Sequence, residues 1–375
     1  MKKNDLKYSS AELLEELSLT FGPSGFEGDM HEVIKGRLKD ICDFDCDRLG
    51  SIICRHKSPG VNSKRAKNAG TSSKPTVGIF THIDEVGFMV RGIMANGFIK
   101  FINLGGWTTQ TLPSQKVLIR NTEGDYVIGV IGMKPPHMMT DDERSKAPKI
   151  DALYIDIGAS SADEVVNDYK IELGSPAVPY SEFGDLNKSW LYYGKAFDNR
   201  AGVCAMLQIM RAAAGRSYEV EIAGVGSTLE ESGLRGAKTS ASRIKPDLAI
   251  VIDTPPADDT PNNETAFPAQ GKLGCGPQIR LYDPTMIANP RFIDFIKKTV
   301  KADKLNAQYA VRSSGGTDAG SVHLSDSGVP TVVLGIPTRY IHSHTSVINV
   351  NDIDDTVRLT LRLLEKLSAR TIASF

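Results

Sequence analysis

The chain has 375 residues, more than a single hydrophobic core usually holds, so we expect two domains or one domain that carries an insertion. Its 44 basic and 45 acidic side chains leave a formal net charge of -1, which provides no overall field to recruit nucleic acid or an anionic membrane surface. These numbers favour small molecules or peptides as partners.

The five cysteines are odd in number and lack Cys-x-x-Cys spacing. This pattern argues against a disulfide framework and against a cysteine-bound zinc, and it predicts reduced thiols. No stretch approaches the roughly 20 apolar residues that a membrane span needs. The basic amino terminus is followed by an amphipathic helix pattern rather than by an apolar signal core. Together these features predict a cytoplasmic protein.

The first predicted helix is capped by Ser10 and ended by a Gly-Pro pair, and a second helix is expected at about 29–41. The segment 58–74 is rich in Ser, Lys, Asn and Gly, so we expect an exposed hairpin tip or loop there. A short buried strand is predicted at 76–80.

From residue 87 to about residue 180, short strand patterns alternate with glycine turns, and we predict an inserted β-barrel domain at 87–189. Alternation of strands and helices returns after residue 190. The strands are expected at 220–225, 248–252 and 331–334, with helices after Asp198 and at 352–367. This pattern predicts an α/β fold with a mixed sheet, helices on both faces and a discontinuous main domain formed by 1–86 and 190–375.

Polar side chains lie just beyond several predicted strands or at turns. They are His82 with Asp84, then Asp198, Glu230 with Glu231, Asp253, and His342 with His344. In an open α/β sheet, ligands bind in the crevice at the carboxyl ends of the strands, so side chains that are distant in sequence can converge there. This shared position predicts one polar site.

Each pair also has a structural explanation. His82 and Asp84 would share a side of extended backbone, where the carboxylate can orient the imidazole, but they also suit a polar strand end. Asp198 is equally compatible with a helix cap. Glu230 and Glu231 would face opposite sides of extended backbone, so one could hold a metal while the other moves a proton, or both could be solvated.

Spacing does not choose between His342 and His344, and Asp253 also suits a turn before two prolines. A set of two histidines and three carboxylates without thiolates favours Zn²⁺, Co²⁺ or Mn²⁺ over the all-oxygen sites of Ca²⁺. A two-metal centre needs one bridging carboxylate and leaves another free as a base. The number of acidic residues is sufficient for that arrangement.

A series of sequence motifs runs along nearly the whole chain. They are GPSGFE at 22–27, THIDEVGFMV at 81–90, INLGGW at 102–107, GVIGMKPPH at 129–137, AFDNRAG at 196–202, LEESGLRGA at 229–237, VID at 251–253, SGGTDAG at 314–320 and RYIHS at 339–343. In these motifs and their order the chain resembles the M42 metallopeptidases, which include glutamyl and tetrahedral aminopeptidases.

The resemblance implies a zinc-peptidase-like catalytic domain with two divalent metal ions, zinc first and cobalt or manganese as alternatives. Asp198 would bridge the ions, His82 and Asp253 would complete one site, and Glu231 and His342 the other. Glu230 would be the general base, and Asp84 would orient His82. The roles of His344 and His323 stay open.

As a hypothesis, a water molecule shared by the two metals attacks the first peptide carbonyl of a substrate that has a free amino terminus. This attack releases the N-terminal residue. The resemblance also implies assembly through the barrel into a homo-oligomer, up to a tetrahedral dodecamer. The alternatives are a two-metal deacylase or carboxypeptidase, an endoglucanase, for which no separate carboxyl pair stands out, and a non-catalytic scaffold. Two local departures are the length of 58–74 and Ser114, where a glycine is common.

Overall fold

The computed structural model describes residues 9–57, 74–261 and 268–375. The predicted exposed segment 58–74 lies, apart from Lys74, outside the described residues. The strands are β1 Cys42–Cys46, β2 Ile52–His56, β3 Thr76–His82, β4 Gly87–Ile93, β5 Ile99–Leu104, β6 Lys116–Arg120, β7 Tyr126–Gly132, β8 Tyr154–Asp156, β9 Pro176–Pro179, β10 Gly184–Asp185, β11 Leu191–Gly194, β12 Glu221–Ser227, β13 Leu248–Asp253, β14 Gln278–Asp283, β15 Met286–Ile287, β16 Gln308–Val311, β17 Thr331–Gly335, β18 Thr338–Arg339 and β19 Ser346–Asn349.

The helices, in the same described ranges, are α1 Ser10–Leu19, α2 Gly28–Leu38, α3 Asp141–Ser145, α4 Ala162–Asn167, α5 Phe197–Ala213, α6 Arg235–Ile244, α7 Pro290–Asp303, α8 Ala319–Val322, α9 Val350–Lys366 and α10 Ala369–Ile372. None of these helices is both long enough and apolar enough to cross a membrane. Most of the helices and strands that the sequence predicts are present in the structure, with bounds that differ by a few residues.

The described strands include a nine-stranded mixed sheet in the order β1-β2-β12-β3-β13-β17-β14-β15, with β16 paired to β14. β3 is parallel to its neighbours β12 and β13, and β13 is parallel to β17. The carboxyl ends of these four strands therefore meet at one edge of the sheet. The predicted α/β class with a mixed sheet is confirmed.

The helices cover both faces of this sheet. A Cβ on Gly224 of β12 would touch Met210 of α5, whereas a Cβ on Gly78 of β3 would touch Ile244 of α6. Gly78 pairs with the residue before Gly224, and successive strand residues point to opposite faces. Both glycines let a helix pack closely on the sheet, one on each side.

The short strands after residue 87 close into an antiparallel barrel in the order β4-β5-β8-β7-β6-β9. Its interior is a second apolar cluster, separate from the core of the main sheet, that includes Phe88, Phe101, Val117, Ile119, Ile131 and Ile155. The predicted barrel is therefore confirmed.

Ser114 precedes β6 with a φ of 67°, and its N–H donates to the carbonyl of Ile131 at 2.8 Å. A left-handed φ explains why glycine suits that position.

The prediction that Ser10 caps α1 is wrong, because Ser9 does so. The hydroxyl of Ser9 accepts the N–H of Glu12, and the carboxylate of Glu12 accepts the N–H of Ser9. This reciprocal arrangement is a capping box, in which a Glu or Gln three positions after the cap bonds back to the backbone of the cap residue. Ser10 instead lies inside the helix and is buried.

Three charged side chains, those of Glu85, Lys195 and Arg200, are buried together next to the site residues at the end of β3. Lys195 Nζ donates to both carboxylate oxygens of Glu85 at 2.7 and 2.6 Å, and Arg200 Nη2 lies 3.5 Å from the same carboxylate. Burial lowers the pKa of Lys195 and of Arg200, and the charge of Glu85 opposes both shifts. Glu85 therefore supplies the counter-charge that lets both cations remain inside.

We expect Glu85→Ala to lower the free energy of unfolding by about 3 to 5 kcal/mol, because it leaves two buried cations without a counter-charge. Urea unfolding followed by circular dichroism measures the loss. The matched control is Asp151→Ala, which removes the exposed partner of Arg91 at 2.9 Å and should change stability little. Equal losses in the two variants would contradict the role given to Glu85.

Candidate metal centre

The structure brings most of the predicted site residues together at the carboxyl edge of the main sheet. Their positions are His82 at the end of β3, Asp253 at the end of β13, Glu230 and Glu231 between β12 and α6, Asp198 in the first turn of α5, and His342 in the loop between β18 and β19. The parallel strands β3, β12 and β13 bring His82, Asp253 and the two glutamates to one edge. Asp198 follows β11 and His342 precedes β19, two paired strands of a separate four-stranded sheet in the order β10-β11-β19-β18.

Asp198 lies between two histidines. Its Oδ1 is 3.1 Å from Nε2 of His82, and its Oδ2 is 3.4 Å from Nε2 of His342. The hydroxyl of Thr254 donates to Oδ1 at 2.8 Å. Asp198 has φ and ψ of −82° and 103°, which are not helical, and α5 has no side-chain cap. The helix-cap alternative for Asp198 is therefore wrong, and its carboxylate faces the crevice.

Asp84 contacts the imidazole of His82. Nδ1 of His82 lies 3.4 Å from Oδ1 of Asp84 and 3.2 Å from its carbonyl oxygen. A proton held on Nδ1 leaves Nε2 free to bind a metal. Nε2 lies 3.6 Å from Asp253 Oδ1 and 4.0 Å from Glu230 Oε2, in addition to its contact with Asp198. His82 therefore presents one nitrogen to three carboxylates.

Asp84 also fixes the backbone that carries the two glutamates. Its Oδ1 accepts the N–H of Glu230 at 3.1 Å, and its Oδ2 accepts the N–H of Glu231 at 3.2 Å and the hydroxyl of Ser24 at 2.6 Å. Burial alone would raise the pKa of Asp84, but its bonds to His82, Ser24 and the Glu230 amide lower it. Asp84 therefore favours its ionised form.

The prediction that Glu230 and Glu231 lie in extended backbone is wrong. β12 ends at Ser227, and the N–H of Gly233 donates to the carbonyl of Glu230 at 2.9 Å, which closes a turn. Gly233 has a φ of 114°, a conformation that side chains rarely permit. From this turn Oε1 of Glu231 reaches to 3.4 Å from Nε2 of His342, and Oε2 of Glu230 lies 4.0 Å from Nε2 of His82.

The loop that carries His342 adopts unusual backbone angles. His342 has a φ of 57° and Tyr340 a φ of 61°, both in the left-handed region that non-glycine residues seldom occupy. The carbonyl of Tyr340 accepts the hydroxyls of Ser343 at 2.6 Å and Ser346 at 3.1 Å. These bonds within the loop stabilise the conformation that turns His342 toward the crevice.

The two histidines with open roles lie elsewhere. His344 is buried, and its Nε2 lies 3.2 Å from the carbonyl of Lys116 on the barrel. His323 follows α8, and its Nδ1 lies 2.7 Å from the carbonyl of Ala319. The structure thus brings His342, and not His344, to Asp198.

Sequence reasoning missed Asp318, which is buried beside the cluster. Its Oδ2 accepts the hydroxyl of Ser227. Its Oδ1 has no hydrogen-bond partner among the described residues. Burial raises the pKa of Asp318 to about 7, and its charge contributes to raising the pKa of Glu230. The available signal was its place in the SGGTDAG motif, since the residue type alone does not reveal burial.

Carboxyl groups outnumber imidazoles in this buried space. Burial raises the pKa of Glu230 well above its ordinary value, and neighbouring carboxylates add to the shift while His82 opposes it. Burial disfavours a charge on His342, but its bonds to Asp198 and Glu231 raise its pKa to about 11. The cluster therefore demands positive charge, which the imidazoles supply when they hold protons.

Divalent cations would meet the same demand. Two trios have ligand atoms within 4.8 Å of one another, namely His82 with Glu230 and Asp253, and His82 with Asp198 and Glu231. His342 extends the second trio through its contacts of 3.4 Å. Carboxylate oxygens and imidazole nitrogens are the donors that zinc, cobalt and manganese accept, so the residues fit a centre for such metal ions.

The sequence profile of the M42 glutamyl aminopeptidase family matches residues 62–359. Because this match covers most of the chain, the protein belongs to the M42 family of aminopeptidases. The family resemblance is thereby confirmed, and the chain is an enzyme rather than a scaffold. M42 peptidases depend on metal ions, in agreement with the donor cluster.

Similar proteins match over nearly their whole length. The glutamyl aminopeptidase of Lactococcus lactis subsp. cremoris (strain MG1363) is 30% identical over 368 residues, which are 98% of each chain. The TET aminopeptidase of Thaumarchaeota archaeon SCGC AB-539-E09 has a TM-score of 0.89 at 34% identity, covering 97% of this chain and 99% of its own. The TET1 peptidase of Pyrococcus horikoshii, which can assemble into a tetrahedron or a large octahedral shell, has a TM-score of 0.82 at 27% identity, covering 96% and 100%.

Proposed function

We propose that this aminopeptidase uses two divalent metal ions, held side by side, to remove the first residue of peptides. The observation that carries the proposal is Asp198, whose two oxygens face different imidazoles at 3.1 and 3.4 Å. Asp198 would bridge the ions. His82 and Asp253 would complete the protein ligands of one ion, and Glu231 and His342 those of the other.

Zinc is the metal we propose, and cobalt and manganese are alternatives because they accept the same donors and cellular supply decides between them. Two such ions would acidify a water molecule, polarise the scissile carbonyl and stabilise the oxyanion that forms on it. Asp84 would hold His82 through Nδ1 and would hold the Glu230–Glu231 turn through two backbone amides. One aspartate would thus orient three functional side chains.

Glu230 is the proposed general base. Its Oε2 lies 4.0 Å from Nε2 of His82, whereas Asp198 and Asp253 approach the same nitrogen to 3.1 and 3.6 Å. Of these three carboxylates, Glu230 is therefore the farthest from the proposed ligand atom. A carboxylate whose pKa is raised by burial holds a proton readily, so Glu230 can take a proton from water and pass it to the departing amine.

We expect Glu230→Gln to keep both metal ions and to lose roughly 10²- to 10⁴-fold in kcat, because only the proton transfer is removed. Glu231→Gln, a change of the same size one residue away, should lower the metal content as well. Metal analysis after gel filtration and steady-state kinetics measure the two effects. Wild-type turnover by metal-loaded Glu230→Gln would eliminate Glu230 as the base.

We infer that the substrates are peptides with a free amino terminus, as the name of the glutamyl aminopeptidase that this chain resembles suggests. The same set of metal ligands also suits a deacylase or a carboxypeptidase, whose substrates present a carboxylate rather than an amine. The two possibilities differ in the charge of the group beside the scissile bond. The metal ligands are the same for an aminopeptidase, a deacylase and a carboxypeptidase, so they do not determine which first residue is preferred.

A panel of aminoacyl-p-nitroanilides for all twenty residues, compared with N-acetylated amino acids, separates these possibilities. We expect hydrolysis only where the α-amine is free, with loss of activity on chelation and recovery with added zinc. The profile across the panel identifies the preferred first residue. Faster hydrolysis of the acetylated compounds would replace the aminopeptidase proposal with a deacylase.

We propose that residues 1–86 and 190–375 form the catalytic domain and that the barrel domain, 87–189, serves assembly or substrate access. Strand β7 supports this role, because it presents Tyr126, Ile128 and Val130 on its outer face, each more than 40% exposed. Apolar side chains that alternate on an exposed strand are typical of interaction surfaces. The assembly of the similar TET1 peptidase supports a homo-oligomer, which we propose to be a tetrahedral dodecamer.

Light scattering after size exclusion measures this assembly. We expect a mass many times that of the 40.7 kDa chain and a smaller particle for Ile128→Glu, because a charge on the outer face of β7 would oppose contact between copies. The control is Glu123→Gln, which changes a charge in the exposed turn before β7 and should leave the particle intact. A wild-type monomer would rule out the particle.

Cytoplasmic location stays a prediction, and the state of the cysteines supports it. All five have free thiols. Burial raises the pKa of Cys42 to about 12 and also raises that of Cys54, which keeps both thiols protonated and unreactive. Free thiols are the usual state in the cytosol, and cell fractionation would test the location.

A further inference from the structure

The imidazole of His342 rests against a turn that belongs to the barrel. A Cβ on Gly106, two residues after β5, would lie 3.0 Å from Nδ1 and 3.4 Å from Cε1 of His342. The first of these distances is shorter than ordinary van der Waals contact, so only a glycine leaves the ring where it is. The ring therefore contacts the barrel through one edge and Asp198 and Glu231 through its Nε2.

The preceding residue of the same turn contacts one of these carboxylates. Gly105 has a φ of 79°, and a Cβ there would lie 3.2 Å from Oε2 of Glu231 and 2.8 Å from Val86. The barrel turn thus packs against both Glu231 and His342. These two side chains form one half of the proposed metal centre.

The next residue anchors the turn to the barrel and to the loop of His342. The indole N–H of Trp107 donates to the carbonyl of Gly87 at 3.1 Å, and its ring stacks on Phe88 with centroids 4.7 Å apart. The indole ring also lies 5.6 Å from the imidazole of His344. His344 is 4% exposed and donates through Nε2 to the carbonyl of Lys116 at 3.2 Å. The loop that carries His342 is therefore docked on the barrel two residues away.

We propose that Gly106, Trp107 and His344 are positioning residues that hold the His342 imidazole with Nε2 toward Asp198 and Glu231. The proposal rests on the proposed function, because it takes His342 as a metal ligand. It gives His344 a defined role, which is to dock the ligand loop on the barrel rather than to bind metal. The barrel thereby supports a centre whose proposed ligands all lie outside residues 87–189.

The test is the titration of metal-free protein with Zn²⁺ and, for its visible spectrum, with Co²⁺. Gly106 does not have a left-handed φ, so Gly106→Ala changes the contact with His342 without backbone strain. We expect one metal equivalent to bind as in wild type and the other to bind roughly 10- to 100-fold more weakly. The kcat should recover at saturating metal, with KM unchanged.

The matched control is Gly92→Ala in β4 of the same barrel, where the added Cβ would lie at an ordinary 3.9 Å from Lys100. We expect wild-type titrations for Gly92→Ala and equal unfolding temperatures for the metal-free wild type and both variants. Wild-type affinity for both equivalents in Gly106→Ala would overturn the proposal. Failure of the wild-type protein itself to bind metal would overturn the proposed function, and this proposal with it.

A second pair of variants tests the docking of the loop, even where Gly106→Ala does not fold. His344→Gln keeps an N–H for the carbonyl of Lys116, whereas His344→Ala removes both this bond and the contact with Trp107. We expect His344→Ala to weaken binding of the same metal equivalent that Gly106→Ala weakens. His344→Gln should bind this equivalent with nearly wild-type affinity. Complete loss of one equivalent in both variants, as expected for His342→Ala, would make His344 a ligand and overturn its positioning role.

Discussion

Four carboxylates concentrated at the edge of the main sheet must be neutralised, and much of the surrounding structure serves to hold them in place. Asp198, Glu230, Glu231 and Asp253 converge on two imidazoles in a largely buried space. Carboxylates in such a place repel one another unless positive charge lies between them. Asp198 directs one oxygen toward each histidine, so the positive charge can lie at two adjacent positions.

Two consecutive acidic residues support this crevice from opposite sides. Asp84 binds the amides of the glutamate turn, while Glu85 holds the buried cations Lys195 and Arg200. The carboxylate cluster and the buried group of Glu85, Lys195 and Arg200 are thus joined through the peptide unit between Asp84 and Glu85. Because Lys195 lies three residues before Asp198, the same ion pair also ties the start of α5 to the end of β3. The precision of the site therefore depends on buried charges that take no part in its chemistry.

The sequence could predict which strand ends converge, because apolar runs that finish at His82 and Asp253 are local signals of parallel strands ending at one edge. It could not predict that Glu230 and Glu231 lie in a turn, since the amides that fix this turn bond to Asp84, far away in sequence. The burial of Asp318 was hidden for the same reason, because only the tertiary structure distinguishes it from a surface residue. Family motifs, rather than spacing, chose His342 over His344.

The connection points of the barrel explain why its position and the metal centre are not independent. The barrel begins at Gly87, five residues after His82, and the chain returns from it through β10 and β11 to Asp198. Both attachments are therefore segments that carry site residues, and the turn at Gly106 adds a third contact through His342. Together with the bond between His344 and the carbonyl of Lys116, these attachments tie the position of the barrel to the side chains of the cluster. Insertion at this place thus links the outer surface of the barrel to the geometry of the proposed metal centre, although the barrel and the main sheet have separate cores.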